Sequence, residues 1–201
     1  MYIQIDEDYG MSTGQKEEHV VLVDVLDRRL GIEEKLKAHS NGGKLHRAVS
    51  VFVFNSQSEI MLQQRADTKY HSPSRWSNTC CSHPLDGEMI LDAAHRRLTE
   101  EMGFDCELIE VFTFTYKCHL GQGITEHELD HVMFGRYDGE PKLNSDEVKD
   151  WRWIGLNDLV ADLRTNVASY SEWLVILLRG RLVPEARKFL EHPSERLECS
   201  G

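Results

Sequence analysis

The sequence predicts an α+β fold, a mixed β-sheet flanked by helices, and three observations predict it. Apolar runs bounded by turn residues dominate the middle of the chain, helical periodicity appears after residue 88, and it returns over the last 45 or so residues. No repeat of roughly 20 to 50 residues interrupts this order. A chain of 201 residues with 40% hydrophobic content is long enough to bury roughly 70% of its unfolded surface in one core. One domain over residues 19–180 is therefore expected, with 1–18 as an arm and 181–201 as a helical tail of the same domain.

Residues 1–18 are polar and acidic, without a sustained period, and read as loosely held. Residues 19–24 form a short apolar strand. Residues 31–39 run into Ser40, Asn41, Gly42 and Gly43, which break any helix, so His39 and His46 meet only through a loop. Residues 48–54 read as a largely buried strand, 55–59 as a turn and 60–65 as its hairpin partner. Residues 66–75 are an irregular polar loop carrying Lys69. From Glu88 a helix places Leu91, Ala94, Leu98 and Met102 on one stripe, with Gly103 as its C-terminal cap. Strands follow at 107–119 and 126–137, joined by a Gly-rich turn, and a shorter one at 148–154. Helices complete the chain at 157–164, 171–179 and 184–191.

Composition narrows the function. No run approaches the ~18 apolar residues of a membrane span, and the start has neither a basic nor an apolar leader region, so a soluble, cytoplasmic protein is expected. Five cysteines, with Cys80 and Cys81 adjacent, do not suit a disulfide framework and read as reduced thiols. A net charge of −11 opposes nucleic acid or an anionic membrane as partner. An anionic small substrate would need local basic residues or metal ions.

The chemistry concentrates in residues 76–84, WSNTCCSHP, and the helix after them, where a thiol, an imidazole and paired carboxylates fall within a short span. Glu126 and Glu128, two apart on a strand, leave the same face. Any surface strand can carry such a pair, and a lone histidine, Lys or Arg is ordinarily solvated or satisfied. Free cysteines are usually small buried apolar residues, the reading for Cys106, Cys118 and Cys199.

Counted from Ser82, residues Glu88, Arg96, Arg97, Leu98, Glu100, Glu101, Gly103 and Phe104 resemble the Nudix box, G-x5-E-x7-R-E-U-x-E-E-x-G-U. Ser82 replaces the leading Gly, and Arg97 replaces a Glu that in Nudix hydrolases belongs to the divalent-metal set. The tract around Cys81, the Thr125-Glu-His-Glu128 run, the Lys35, His39, His46 series, Asn144 with Glu147, and Tyr170-Ser-Glu-Trp173 are similar to type I isopentenyl-diphosphate isomerases, a Nudix-fold branch. The likeness spans about residues 19–180. At Glu172 that family usually has Pro.

The resemblance implies a Nudix-like sheet and a 1,3-proton shift between isopentenyl and dimethylallyl diphosphate. It implies a Mn²⁺ or Zn²⁺ site at His39, His46, His83, Glu126 and Glu128, a nitrogen-and-oxygen set larger than a structural zinc tetrahedron. Mg²⁺ would accompany the diphosphate at Glu101, helped by the Cys81 carbonyl. Cys81 would act on one face of the alkene, its pKa lowered toward a thiolate by metal and cations, and Glu128 with Tyr116 on the other. Cys80 should point elsewhere. Lys35, Arg65, Lys69 and Arg97 match the anion-binding positions, and Trp173 would face the carbocation or be plain core. Glu88 and Glu100 read equally well as helix-face charges. A Nudix hydrolase of a nucleoside diphosphate derivative and a catalytically silent binding module remain alternatives; Arg97 and the Cys81 tract favour the isomerase.

Overall fold

The computed structural model describes residues 19–191. The 1–18 arm, Cys199 and residues 192–201 of the tail lie outside the described residues. The chain begins with a hairpin of β1 (His19–Val23) and β2 (Arg29–Glu34). Asp24 builds its turn by accepting hydrogen bonds from the backbone N–H groups of Leu26 at 2.9 Å and Arg28 at 3.0 Å. Strand β2 is an addition to the expected elements. Its Leu30 and Ile32 face outward, so no buried apolar period marks it. A short helix, α1 (Lys35–His39), ends where the glycines were expected to stop it. There Gly43 has φ +71°, and a Cβ on it would lie 2.8 Å from the Thr125 carbonyl oxygen, so only glycine lets this loop lie so close.

The sheet continues with β3 (His46–Phe54), β4 (Glu59–Arg65), the short β5 (Trp76–Ser77) and β6 (Cys80–Ser82). After α2 (Ile90–Met102) come β7 (Leu108–Gly121), β8 (Ile124–Arg136) and β9 (Val148–Gly155). The helices α3 (Leu156–Asp162), α4 (Glu172–Arg179) and α5 (Leu182–Glu191) close the described chain. The β7–β8 hairpin forms as expected. The expected β3–β4 hairpin does not: the two strands pair only at Phe54 and Ile60. Instead β3 runs parallel to β8 from His46 opposite Glu128 to Phe54 opposite Arg136, while β4 pairs with β9. The physical reason lies in β3 itself. It is buried on both faces, the hallmark of a central strand in a covered sheet rather than one arm of a half-exposed hairpin.

Both sheet faces are covered. On one, Val49, Val51 and Val53 of β3 and Met133 of β8 pack with Ala94, Leu98 and Met102 of α2. Leu98 and Met102 are fully buried, worth roughly 1.5–3 kcal/mol each. The expected stripe misplaces only Leu91, which is 42% exposed at the first turn. Gly103 caps α2 at φ +71°, its N–H donating to the Thr99 carbonyl at 3.0 Å. On the other face Phe52, Phe54, Val132 and Phe134 pack against Leu159, Leu174, Leu177 and Phe189 from α3, α4 and α5. Leu182 and Ala186 join the same cluster, so α5 rests on this core.

Strand alternation makes this second face change character along its length. On β3 it reads His46, Ala48, Ser50, then Phe52 and Phe54; on β8 it reads Glu126, Glu128, Asp130, then Val132 and Phe134. His46, Ser50, Glu126, Glu128 and Asp130 are all buried. Three neighbouring buried carboxylates are costly unless partnered, which directs attention to that end of the sheet.

Candidate active site

His39 at the end of α1, His46 at the start of β3, His83 just past β6 and Glu128 of β8 each offer one ligand atom, and these atoms all lie within 4.8 Å of one another. Two backbone contacts orient the rings. His39 Nδ1 donates to the Lys35 carbonyl at 2.6 Å, and His46 Nδ1 donates to the Lys44 carbonyl at 2.8 Å. A carbonyl only accepts, so both Nδ1 atoms carry hydrogen, and in the neutral rings each Nε2 presents a lone pair inward. There His39 Nε2 meets Glu126 Oε2 at 2.9 Å, and His46 Nε2 stands 3.4 Å from Glu128 Oε1 without a hydrogen bond. Lone pairs facing carboxylate oxygens call for protons or a cation between them. The donor set, imidazole and carboxylate, therefore fits a metal ion.

The charges follow from burial and neighbours. Burial works against ionised Glu128, but the neighbouring His46 and His83 imidazoles outweigh it and hold its carboxyl well below the usual range. Burial and then the charge of Glu128 push Glu126 up. Burial opposes a charge on His39, yet the hydrogen bond and charge of Glu126 raise it overall. His83 is pushed down to about 3, chiefly by burial, and is neutral. Tyr116 of β7 donates to Glu128 Oε2 at 2.5 Å, and burial followed by the Glu128 charge drives its own pKa well up.

Cys80 and Cys81 part as strand alternation requires: Cys80 is buried against Ala94 and Leu98, while the Cys81 sulfur lies 3.6 Å from Ser50 Oγ on the other face. The expected lowering of the Cys81 pKa is reversed by the polypeptide. Burial first, then Glu128 and Asp130, push the thiol well up, so the chain's own groups hold it neutral. Cys106 and Cys118 are half-buried rather than core residues, and all four cysteines among the described residues are free.

Of the expected ligands, Glu126, Glu101 and Cys81 lie outside the four-group cluster, Glu126 beside it through its contact with His39. Glu101 is buried on the α2 side, accepting hydrogen bonds from Gln63 Nε2 at 2.9 Å and from Arg97 at 2.7 Å. Arg97 also reaches Glu100 at 2.7 Å and Glu147 at 3.3 Å, and Lys69 pairs with Glu147. Lys35 places its ammonium 5.8 Å from the Tyr70 ring. Arg65 donates to the His71 carbonyl at 3.2 Å and lies 5.1 Å from the centre of the Trp173 ring. Trp173 is itself buried, its Nε1 donating to Asn78 Oδ1 at 3.0 Å. Glu88 accepts from Arg96 at 2.6 and 2.8 Å and from the Leu85 N–H, a salt-bridged helix-start carboxylate.

Three residues enter the site without having been anticipated. Asp130, fully buried, accepts from Ser50 Oγ at 2.8 Å, and burial with the Glu128 charge drives its pKa well up. Extending the two-residue period beyond Glu126 and Glu128 reaches it, and the same period from His46 reaches Ser50. His71, with Nε2 3.4 Å from Glu126 Oε1, sits in the irregular loop where no period operates.

Residues 44–174 match the NUDIX domain model. Among curated proteins, the chain is 53% identical to isopentenyl-diphosphate Delta-isomerase 2 of Aromatoleum aromaticum, over 81% of this chain and 85% of that one. It is 48% identical to isopentenyl-diphosphate Delta-isomerase of Pectobacterium atrosepticum, over 77% and 86%. Among solved structures, DR0079 from Deinococcus radiodurans superimposes with a TM-score of 0.67 at 19% identity, covering 81% of this chain and 98% of that one, a likeness of fold. The chain carries a Nudix domain and belongs to the isopentenyl-diphosphate Delta-isomerase family.

Proposed function

We propose that the protein interconverts isopentenyl and dimethylallyl diphosphate, a step of isoprenoid precursor synthesis in the cytoplasm. The observation that carries this reading is the placement of three proton-handling groups on three strands of one sheet: Cys81, half-buried on β6, and the buried, hydrogen-bonded pair of Tyr116 on β7 and Glu128 on β8. The alkene's π electrons take a proton at C4, leaving a tertiary cation at C3. Loss of a proton from C2 then forms the new double bond. Cys81 serves one face, Glu128 with Tyr116 the other, and their acid and base roles exchange with direction.

The rest of the site serves that exchange. Burial excludes the water that would trap the cation, and Trp173, buried beside Arg65, would offer its ring to the cation. Lys35, Arg65, Lys69 and Arg97 receive the diphosphate. His39, His46, His83, Glu126 and Glu128 would hold Mn²⁺ or Zn²⁺, and Glu101 with the Cys81 carbonyl would hold Mg²⁺ beside the diphosphate. Bound there, the ions supply positive charge to the carboxylates and to the phosphate oxygens.

Hydrolysis of a nucleoside diphosphate derivative is the weaker reading, because Arg97 occupies the α2 carboxylates that would gather hydrolytic metal ions. Incubation with isopentenyl diphosphate and Mg²⁺, followed by product identification and phosphate assay, tests the choice. Dimethylallyl diphosphate without phosphate release is expected; robust phosphate release from the same substrate sinks the isomerase.

A further inference from the structure

The Cys81 sulfur has a built support. Ser50 stands directly opposite Cys81 in the antiparallel pairing of β3 with β6. Its hydroxyl oxygen lies 3.6 Å from the Cys81 sulfur and 2.8 Å from Asp130 Oδ2. Ser50 and Asp130 are both fully buried, which leaves the Ser50 hydroxyl facing these two partners.

A serine hydroxyl has one hydrogen and must choose between two neighbours. When Ser50 donates to Asp130, its oxygen is left to accept the Cys81 S–H, which points the thiol hydrogen along a fixed line. When Cys81 has given up its proton, the same hydroxyl turns and donates to the sulfur. A cysteine that works in both directions of a proton shift spends part of each cycle in either form. Ser50 offers the matching hydrogen bond to each.

We infer that Ser50, anchored by Asp130, is a positioning residue for Cys81, directing its S–H and stabilising the sulfur once the proton has gone. This rests on the proposed role of Cys81. It involves no contact between Ser50 and substrate, so its removal should leave substrate binding alone. A hydrogen bond to a charged acceptor corresponds to a rate loss of about ten- to a hundredfold.

The test compares Ser50→Ala, Ser50→Thr and Cys81→Ala in the full chain, measuring kcat, KM, transition-ion content and thermal stability. Ser50→Ala is expected to lower kcat about ten- to a hundredfold with KM and ion content within about twofold, and Ser50→Thr to restore most of the rate. Wild-type kcat in Ser50→Ala, alongside inactive Cys81→Ala, overturns the role of Ser50 and leaves that of Cys81 standing. Parallel loss of kcat, KM and stability in both Ser50 variants also overturns it, as the mark of a purely packing serine. An active Cys81→Ala removes the reading on which the inference rests.

Discussion

Around β8, the carboxylates Glu126 and Glu128 face His39, His46, His83 and Tyr116, groups that exchange protons or ligate metals. Around α2, Glu100, Glu101 and Glu147 face a guanidinium and an amine, those of Arg97 and Lys69. Between the two regions runs β6, with Cys80 turned toward the α2 side and Cys81 toward the β8 side. The first region has variable charge, suited to moving protons. The second has fixed charge already in pairs, suited to receiving an anion whose arrival re-partners the cations. Under the proposed isomerisation, one short strand would separate where bonds change from where the substrate is held.

The largest effect expected from this contrast is the one that tells the two cysteines apart. Cys81→Ala should cost isomerisation at least ~10²-fold, the loss of a positioned acid or base. Cys80→Ala, removing a sulfur from the α2 side, should keep most activity while losing some stability through the small cavity left beside Leu98. Rates and urea midpoints on the two variants check both halves. Equal tolerance of the two substitutions would erase the division at β6.

Ion removal should come next, because it acts on one region and spares the other. The purified protein is expected to carry about one tightly held transition ion per chain. Exhaustive chelation should abolish activity that Mg²⁺ alone does not restore, and Mn²⁺ or Zn²⁺ should return it. His39→Ala and Glu126→Gln should lower the ion content by elemental analysis, as loss of a ligand or of its charge predicts. Full activity of stripped protein supplied only with Mg²⁺ would contradict a separate His and Glu site.

The contrast also explains what was legible in the sequence. The α2 region was readable because an amphipathic period, Ala94, Leu98 and Met102, and a capping Gly103 state the helix locally. Of the expected metal residues, His39, His46, His83 and Glu128 converge while Glu126, Glu101 and Cys81 lie outside that group, and only the family likeness points to them, since their separation along the chain carries no local signal. Pairing was the harder property. The apolar run of β3 gives a strand but not a partner, and a tight turn after Phe54 suggested β4 when the long-range partner is β8. Asp130 and Ser50 carry no such signal for a different reason: a buried polar residue next to apolar neighbours looks like an ordinary strand position until the strand beside it is known. Likewise the resemblance implies a Cys81 thiol made acidic by a nearby metal and cations, whereas burial and the nearby carboxylates of the chain itself act in the opposite direction.

The smallest expected effect falls on Arg97, and it bears on how the α2 region holds charge. A solvated arginine on a helix face would be dispensable, but the Arg97 side chain is only 17% exposed and touches three carboxylates. Its replacement of a carboxylate changes the local charge by two units, from a metal ligand to a cation, which disfavours a hydrolytic metal cluster and favours direct pairing with diphosphate oxygens. Arg97→Ala should therefore weaken substrate affinity by about tenfold, on the order of one charge-assisted hydrogen bond, while leaving the transition ion in place on the β8 side. Because the substitution also leaves Glu101 buried without its cation, stability will fall as well, and Arg97→Lys provides the control: it keeps the charge, loses the planar fork, and should bind substrate with intermediate affinity. Substrate affinity, ion content and melting temperature on the two variants separate the cases. Unchanged affinity in Arg97→Ala would make Arg97 a structural counter-ion for Glu101 alone, and loss of the transition ion would show that the two regions are not independent.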